Sequence, residues 1–310
     1  MPSASRSSAA ALLVAVTAGV SIAALVGTGS ADASEWTRAQ SMSLRRSYIA
    51  AASDGEVIYA AGGMVGETGR PLAVFQRYTA RANSWTTLRR LPEPLRAAKA
   101  ATLGESVFVV GGLTRSGGSR RVYEYDVARD RWRERAPLPQ ARFNHEVVAF
   151  GGRLYVLGGY LRGRELRSVY VYDPVVDRWS AGPALPRRLH AFGAVVFRGE
   201  IWVIGGLSGD EIRRDVWILD PVRGTWRAGP ALPVPMELLG AAVAGDEIHV
   251  AWEQWYWVWD ASARRWRRGP SMRVTRHALS LFHVGGALYA IGGCTTALRD
   301  SPVVERLDLS

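Results

Sequence analysis

Arginine, tryptophan and histidine are the residues of this sequence most able to bind or transform another molecule. The 310-residue chain has 12 Trp, 5 His and a formal net charge of +11. Lys99 is its only lysine, so the positive charge comes almost entirely from arginine. Guanidinium groups bind carboxylate, sulfate or phosphate through two parallel hydrogen bonds. The net positive charge therefore points to an anionic partner. A general preference for arginine over lysine in this protein is an alternative explanation of the arginine content.

The densest group of aromatic side chains lies in HVAWEQWYWVWD, residues 249–260. Trp255, Trp257 and Trp259 alternate, which places all three on one face of a β-strand. Two interpretations remain open. The indoles fill the space between neighbouring sheets, or Trp252 and Trp255 form a stacking platform for a sugar or aromatic ligand.

An internal repeat of about 47 residues positions these side chains. A tryptophan recurs at steps of 47, 47, 47 and 40 residues, and a glycine pair precedes it in the clearest units. Each unit contains four short β-branched and aromatic runs separated by Gly, Asp and Pro turn signals. Repeats of four strands predict the blades of a propeller. The recurring tryptophans are Trp85, Trp132, Trp179, Trp226 and Trp266.

The order of residues within a unit resembles the kelch family. A hydrophobic strand ends in Gly-Gly and is followed by a tyrosine and then a tryptophan, as in Tyr78 with Trp85 and Tyr125 with Trp132. The resemblance covers essentially all of residues 35–310, but Leu219 and Trp259 stand in the tyrosine place of two later units. It implies a propeller whose partners bind the loops between blades and the loops after Gly-Gly.

The predicted fold is all-β: a six-bladed kelch-type β-propeller whose last blade is closed by the N-terminal strand. The last unit reaches Ser310 without a tryptophan, whereas Glu35-Trp36-Thr37 resembles an isolated fourth strand. Pairing these two segments would cover two exposed sheet edges. The domain occupies residues 34–310, with units at about 44–91, 92–138, 139–185, 186–232, 233–271, and 272–310 plus 34–43.

Six residues located 14–17 positions before each first glycine, or before Ala251 in the fifth unit, are the predicted ligand site. Around a channel mouth they would form a positive ring able to grip an anion. The alternative is that the arginines brace loops through backbone carbonyls. His277, Trp252 and Trp255 complete the predicted binding set. The six are Arg46, Arg96, Arg142, Arg188, Glu237 and Arg276.

No catalytic or metal-binding motif is found in the sequence, so neither a metal nor a cofactor is predicted. The single cysteine, Cys294, excludes an intramolecular disulfide. The chain also resembles the exported six-bladed kelch sialic-acid mutarotase, so a sugar mutarotase or epimerase is the alternative function. That chemistry needs an acid–base group near a sugar ring oxygen. Glu237 or His277, beside Arg276, are the candidates, and catalysis remains an open question.

The N-terminus predicts export. Arg6, an apolar run over 9–26 and an Ala31-Asp32-Ala33 pattern are typical of a cleaved signal peptide spanning residues 1–33. An uncleaved anchor is the alternative. We therefore expect a secreted, periplasmic or cell-envelope monomer with no transmembrane span after cleavage. Its expected role is non-catalytic binding of an anionic glycan, a polymer or a protein, with no nucleic-acid partner.

Overall fold

The computed structural model describes residues 35–66, 69–295 and 299–309. The predicted signal peptide, residues 1–33, therefore lies outside the described residues and stays a prediction. Within the described ranges, no helix is long and apolar enough to cross a membrane.

Six four-stranded antiparallel sheets form the blades of a propeller, which confirms the predicted fold class. Strands are numbered one to four within each blade. Blade 1 consists of Ala50–Ser53, Val57–Ala61, Phe75–Thr79 and Ser84–Thr87. Blade 2 consists of Lys99–Leu103, Ser106–Val110, Val122–Asp126 and Arg131–Arg135. Blade 3 consists of Glu146–Phe150, Arg153–Leu157, Val169–Asp173 and Arg178–Gly182.

The other three blades repeat this order. Blade 4 consists of Gly193–Phe197, Glu200–Ile204, Val216–Asp220 and Thr225–Ala228. Blade 5 consists of Gly240–Ala244, Glu247–Trp252, Trp255–Asp260 and Arg265–Arg268. Blade 6 consists of Ser280–Val284, Ala287–Ile291, Val304–Asp308 and, from the other end of the domain, Thr37–Ala39. One short 3₁₀ turn, Ala80–Ala82, links strands three and four of blade 1.

The hydrophobic core lies between neighbouring blades rather than inside any one of them. Ile204 and Val216 of blade 4, for example, pack in one cluster with Ile248 and Val250 of blade 5. Both faces of a blade are covered in this way. The second strands therefore read as nearly continuous apolar runs instead of alternating patterns, as in Glu200–Ile204.

The N-terminal strand closes the ring as predicted. Thr37, Arg38 and Ala39 pair antiparallel with Arg306, Glu305 and Val304. Trp36 precedes this strand and is 1% exposed. Sheet closure of this kind covers edge groups that would otherwise be exposed to other chains.

Tryptophan side chains join every blade to the one before it. The indole Nε1 of each donates a hydrogen bond to a backbone carbonyl in the segment that follows the preceding blade's fourth strand. All six bonds measure between 2.7 and 3.1 Å. The sixth runs from Trp36 to the carbonyl of Pro270, which places Trp36 in blade 6. The donor–acceptor pairs are Trp85–Gln40, Trp132–Arg89, Trp179–Ala136, Trp226–Pro183, Trp266–Pro230 and Trp36–Pro270.

A second ring of hydrogen bonds surrounds the central channel. The residue two positions before each first strand has a left-handed backbone, with φ between 48° and 57°. The N–H of each donates to the carbonyl of its counterpart one blade earlier, at 2.6 to 3.1 Å, across five of the six junctions. No such bond joins Tyr48 to Ala278 at the closing junction. The six residues are Tyr48, Ala97, Asn144, Ala191, Leu238 and Ala278.

Loops between strands two and three rise on the same face as the segments that lead into each first strand. We call this the mouth face. Blades 1 to 4 each carry a small two-stranded hairpin there: Met64–Val65 with Arg70–Pro71, Leu113–Thr114 with Gly117–Gly118, Tyr160–Leu161 with Arg164–Glu165, and Leu207–Ser208 with Glu211–Ile212. Blade 5 instead has the two-residue turn Glu253-Gln254 between the paired Trp252 and Trp255.

Candidate functional site

The mouth is built from six equivalent tripeptides, each ending in the left-handed residue of the inner ring. We call their three positions brace, rim and ring, in chain order. The shared backbone conformation fixes the alignment without reference to the glycine pairs. The tripeptides are Arg46-Ser47-Tyr48, Leu95-Arg96-Ala97, Arg142-Phe143-Asn144, Leu189-His190-Ala191, Met236-Glu237-Leu238 and Arg276-His277-Ala278.

Side chains at the brace position point into the blade and not into the channel. Arg276 is 0% exposed. Its Nη1 donates to the carbonyls of Gly292 and Val303 at 2.9 and 2.6 Å. Its Nη2 donates to the carbonyl of Ala290 at 3.1 Å and to the carboxylate of Glu305 at 2.8 Å. Glu305 is also fully buried, so this is a buried ion pair with most of its hydrogen-bonding groups satisfied.

Arg46 and Arg142 are equally buried and make the corresponding bonds in blades 1 and 3. Arg46 reaches the carbonyl of Gly62 at 2.9 Å and the amide oxygen of Gln76 at 2.9 Å. Arg142 reaches the carbonyl of Gly158 at 2.8 Å and the hydroxyl of Ser168 at 2.9 Å.

The structure therefore corrects the predicted ring of arginines. Arg46, Arg142 and Arg276 brace their own blades through backbone carbonyls, which is the alternative interpretation of the sequence. The interval of 14–17 residues before the glycines was too variable to align the six lead-in segments. The predicted ring therefore mixes brace residues, rim residues and one residue that precedes the brace. Arg188 precedes the brace position, is exposed, and donates to the carbonyl of Glu165 at 3.0 Å.

In five blades the rim position holds a half-buried side chain beside the channel mouth, whereas in blade 1 it holds Ser47, which is fully buried and bonded to Asp300. Arg96, Glu237 and His277 occupy it in blades 2, 5 and 6 and are half-buried. Sequence reasoning missed the other three rim residues. Aligning the six lead-in segments on their brace residues, and taking the next residue in each, would have identified them. They are Ser47, Phe143 and His190.

Aromatic rings cluster on one side of the rim. The ring of Tyr160, in the hairpin of blade 3, lies 5.5 Å from that of Phe143 and 4.8 Å from that of His190. Arg96 is the rim residue of the adjacent blade. Its guanidinium Nη1 lies 3.4 Å from the sulfur of Met64 in the hairpin of blade 1. This side of the mouth therefore carries an aromatic cluster, with a guanidinium on the neighbouring blade.

Carboxylates occupy the rim of blade 5, which is adjacent to the aromatic cluster of blades 3 and 4 and across the ring from Arg96 of blade 2. Burial, followed by the charge of Glu253, raises the pKa of Glu237 to about 7. Glu253 lies in the short turn of blade 5, and burial raises its pKa as well. A carboxyl with a pKa near neutrality can accept or donate a proton at physiological pH.

His277 and Cys294 meet at the rim of blade 6, with Nε2 and Sγ 3.1 Å apart. Burial lowers the pKa of His277, while burial and the charge of Asp300 raise the pKa of Cys294 to about 12. Both shifts favour the neutral forms, so this pair is not an activated thiolate nucleophile. Asp300 accepts hydrogen bonds from Ser47 Oγ at 2.6 Å and from the N–H of Gly66 at 2.7 Å.

The channel holds a small cavity at the level of the ring residues, all of which border it. It has a volume of about 30 Å³ and is bordered by Tyr48, Asn144 and Phe192 among others. This is room for a water molecule but not for a ligand. Lys99 and Glu146 form an ion pair of 2.5 Å at the starts of two first strands. A ligand at the mouth would therefore rest on the rim and would not enter the channel.

The tryptophan-rich stretch packs mainly between blades 4 and 5. Trp259 is buried in that junction, and Trp252 and Trp257 pack against the same cluster. Trp255 flanks the turn opposite Trp252 but lies outside that cluster, with the guanidinium of Arg268 4.2 Å from its ring centroid. The interpretation as packing therefore accounts for Trp252, whereas the half-buried Trp255 remains able to contact a ligand.

Among the described residues, no group of three or more His, Cys, Asp or Glu side chains is arranged to hold a metal ion. In the described part of the chain, the rim and its hairpins thus present the guanidinium of Arg96, the aromatic cluster, the carboxyls of raised pKa and the neutral His–Cys pair.

Comparisons with known proteins agree with this architecture. The solved structure of YjhT superposes with a TM-score of 0.77 at 15% identity, covering 87% of this chain and 97% of that one. Beta-scruin of Limulus polyphemus is 27% identical over 114 residues, 34% of this chain and 12% of its own length. Human Kelch-like protein 4 is 33% identical over 63 residues, 20% of this chain and 9% of its own length. The matches thus span about a tenth of these two curated relatives.

The sequence model of the KLHDC2/KLHL20/DRC7 Kelch-repeats domain matches residues 48–251. That match covers blades 1 to 4 and the first half of blade 5. The structure extends the same repeat through blade 6. The chain belongs to the kelch-repeat family.

Proposed function

We infer that this kelch propeller binds an acidic glycan at the rim of its mouth. A kelch propeller is in general a binding or interaction module. The observation that carries the finer proposal is the aromatic cluster of Phe143, Tyr160 and His190 at the mouth, with the half-buried guanidinium of Arg96 on the neighbouring blade 2. A guanidinium binds a carboxylate through paired hydrogen bonds, and an aromatic face packs against the apolar side of a sugar ring.

The acidic side of the rim supports the same ligand class. Glu237 and Glu253 can accept hydrogen bonds from sugar hydroxyls, and a protonated Glu237 can also donate one. Four hairpins surround the mouth on blades 1 to 4, whereas the short turn of blade 5 leaves a lower wall beside these carboxyls. A glycan chain bound at the rim has an open path across blade 5.

A glycan array with the full-length chain tests the proposal. It should compare sialylated, uronic-acid and neutral glycans. We expect acidic glycans to bind and Arg96→Ala to reduce that binding at least tenfold, because Arg96 supplies the carboxylate contact. Arg131→Ala removes an exposed arginine from a fourth strand and is the matched control. Absence of acidic-glycan binding, or equal loss in both variants, would overturn the proposal. Selective capture of a protein partner at the same rim would overturn the glycan assignment.

A sugar mutarotase is the second candidate, and the raised pKa of Glu237 is the observation that favours it. Ring opening needs a group that exchanges a proton with the ring oxygen or anomeric hydroxyl near neutral pH. The test is the rate of anomer interconversion of sialic acid by NMR. Acceleration by the wild type that Glu237→Gln abolishes would support catalysis, and a rate equal to buffer alone would reject it.

The proposed setting is outside the cytoplasm, in keeping with the signal peptide predicted for residues 1–33. N-terminal sequencing of the mature protein after expression in its host tests this. A first residue at or near Ser34 is the expected result, and an intact N-terminus would contradict cleavage.

A further inference from the structure

Two neighbouring hairpins on the mouth face carry a concentration of positive charge. Residues 113–121 of blade 2 and 160–168 of blade 3 each comprise a hairpin and the segment that leads into strand three. Together they contain six arginines and one glutamate. The equivalent residues of blade 4, 207–215, contain two arginines and three carboxylates, so the charge is confined to one arc of the mouth. The six are Arg115, Arg120, Arg121, Arg162, Arg164 and Arg167.

The two hairpins touch each other. Leu161 of blade 3 packs over Gly118 of blade 2, where a Cβ would lie only 2.9 Å from the leucine Cδ1. Leu161 pairs with Arg164 across the blade 3 hairpin, so both side chains project from the same side of it, toward blade 2. Glu165 projects from the other side and accepts a hydrogen bond from the N–H of Gly209 in blade 4 at 3.1 Å. The arginines therefore lie on one continuous surface, which we call the arginine patch.

Carboxylates neutralise little of the charge of this patch. Within the described ranges, Arg121 contacts Glu93 and Glu134, whereas the other five arginines make no ion pair. All six side chains are exposed. In blade 4, by contrast, Arg213 contacts two carboxylates. Several like charges on one exposed surface produce a positive potential that attracts polyanions.

The arginine patch adjoins the proposed glycan site. Tyr160 begins the blade 3 hairpin and belongs to the aromatic cluster with Phe143 and His190. Leu113 begins the blade 2 hairpin and exchanges two backbone hydrogen bonds with Arg96 of the rim, at 2.7 and 3.0 Å. Each hairpin of the patch is thus joined directly to a rim group. A ligand longer than one sugar can extend from the rim onto these hairpins in one direction and across the low side at blade 5 in the other.

We propose that the ligand is a polyanionic glycan chain with an acidic group on successive sugars, and that the arginine patch binds the acidic groups beyond the rim. This inference rests on the proposed glycan site and specifies its ligand class. Each exposed arginine contributes little alone, because solvent and salt screen it. A chain that contacts several arginines at once gains affinity, since each contact raises the effective concentration of the next acidic group. Apart from Tyr160, the patch has no aromatic residue on which a nucleobase could stack, which favours a glycan over a nucleic acid.

Oligogalacturonides and α2,8-linked oligosialic acids, each of two and of about ten sugars, are the probes. Titration calorimetry with the full-length chain measures their dissociation constants. In at least one series we expect the long chain to bind at least fiftyfold more tightly than the dimer. That factor exceeds what the larger number of binding positions on a longer chain provides. Raising sodium chloride to about 0.5 M should remove most of the difference, because the patch is exposed to screening.

The double variant Arg162→Gln/Arg164→Gln separates the patch from the rim. It should weaken binding of the long chain at least fivefold and that of the dimer less than twofold. Arg131→Gln/Arg178→Gln removes the same charge from exposed fourth strands of the same two blades and should change both less than twofold. Arg96→Ala, at the rim, should weaken both lengths.

Failure of this inference is distinguishable from failure of the glycan site. If both lengths bind equally well and only Arg96→Ala weakens them, the patch is not used and the rim site stands. If neither series binds at either length, the glycan site fails and the patch proposal fails with it. Equal loss in the two double variants would also overturn the patch, since net charge alone would explain it. A single-stranded DNA of about ten nucleotides that binds as tightly as the long acidic chain would overturn the assignment to a glycan.

Discussion

Blades 1, 3 and 6 differ from blades 2, 4 and 5 in how they fill the same buried space. The first group has a fully buried arginine at the brace position, whereas the second has leucine or methionine. The residue of strand three whose side chain faces the same space also differs between the two groups of blades. It is Gln76, Tyr170 or Glu305 in the arginine blades and Tyr123, Trp217 or Trp257 in the aliphatic blades.

The difference shows that one backbone tolerates two chemically opposite solutions. An arginine there needs a polar or aromatic neighbour, such as Glu305, Gln76 or the ring of Tyr170, whose centroid is 4.7 Å from the guanidinium carbon of Arg142. An aliphatic side chain instead leaves room for a large aromatic. Each solution leaves a buried N–H without a partner among the described residues, such as Arg276 Nε or Trp257 Nε1.

Breaking the buried ion pair of blade 6 should have the largest effect. Arg276→Met gives blade 6 the brace residue of blade 5 but leaves the charge of Glu305 buried without its partner. We expect the free energy of unfolding to fall by about 3–5 kcal/mol. Urea denaturation measures it. The double variant Arg276→Met/Glu305→Gln should recover at least half of the loss, because the uncompensated charge is gone. A loss below about 1 kcal/mol in the single variant would contradict the role of the brace.

The fold was largely predictable from the sequence. The tryptophans and glycine pairs recur because each blade needs the same tight backbone contacts with its neighbour. Gly158 illustrates this: a Cβ there would lie 2.6 Å from the carbonyl oxygen of Leu189 in the next blade. Closure was also predictable, since Trp36 stood 49 residues before Trp85 and an unpaired last unit needed a fourth strand.

The site was predictable only in part. Arg96, Glu237 and His277 lie on the rim, but the sequence does not reveal which neighbouring residue faces the blade and which faces the mouth. Neighbouring lead-in residues point in opposite directions, so an alignment error of one residue exchanges the two roles. The left-handed ring residue, and not the glycine pair, determines which side chain points into the blade. The carboxyl pair of Glu237 and Glu253 escaped notice because 15 residues separate the two in sequence.

Glu237 tests the role of a rim residue in a blade whose brace residue, Met236, is aliphatic. Burial raises its folded-state pKa to about 7, above the ordinary glutamate value of 4.5. The folded state therefore binds more protons, and the resulting stability is present below about pH 4.5 and is lost as the pH rises through 7. Glu237→Gln should thus be more stable than wild type by about 1–2 kcal/mol at pH 8, after allowance for solvent screening. At pH 4.5 the two should be equal. Thermal melts across this pH range measure it, and a constant difference would contradict the assignment.

Two tryptophan variants should show the smallest effects. Trp257 in blade 5 has a buried indole N–H without a partner, whereas Trp226 in blade 4 donates to the carbonyl of Pro183 at 3.1 Å. Trp226→Phe should cost about 1 kcal/mol because it leaves that carbonyl unpaired. Trp257→Phe should cost less, since it removes an unsatisfied donor while keeping an aromatic ring. Chemical denaturation distinguishes them, and the reverse order would contradict the hydrogen-bond assignment.

The central claim is that adjacent residues of each lead-in tripeptide divide stability from binding. Equilibrium unfolding of two matched sets tests it most directly: Arg46→Ala, Arg142→Ala and Arg276→Ala at the brace, and Arg96→Ala, His190→Ala and His277→Ala at the rim. The account predicts that every brace variant loses at least about 2 kcal/mol and every rim variant less than about 1 kcal/mol. Overlapping losses in the two sets would contradict it.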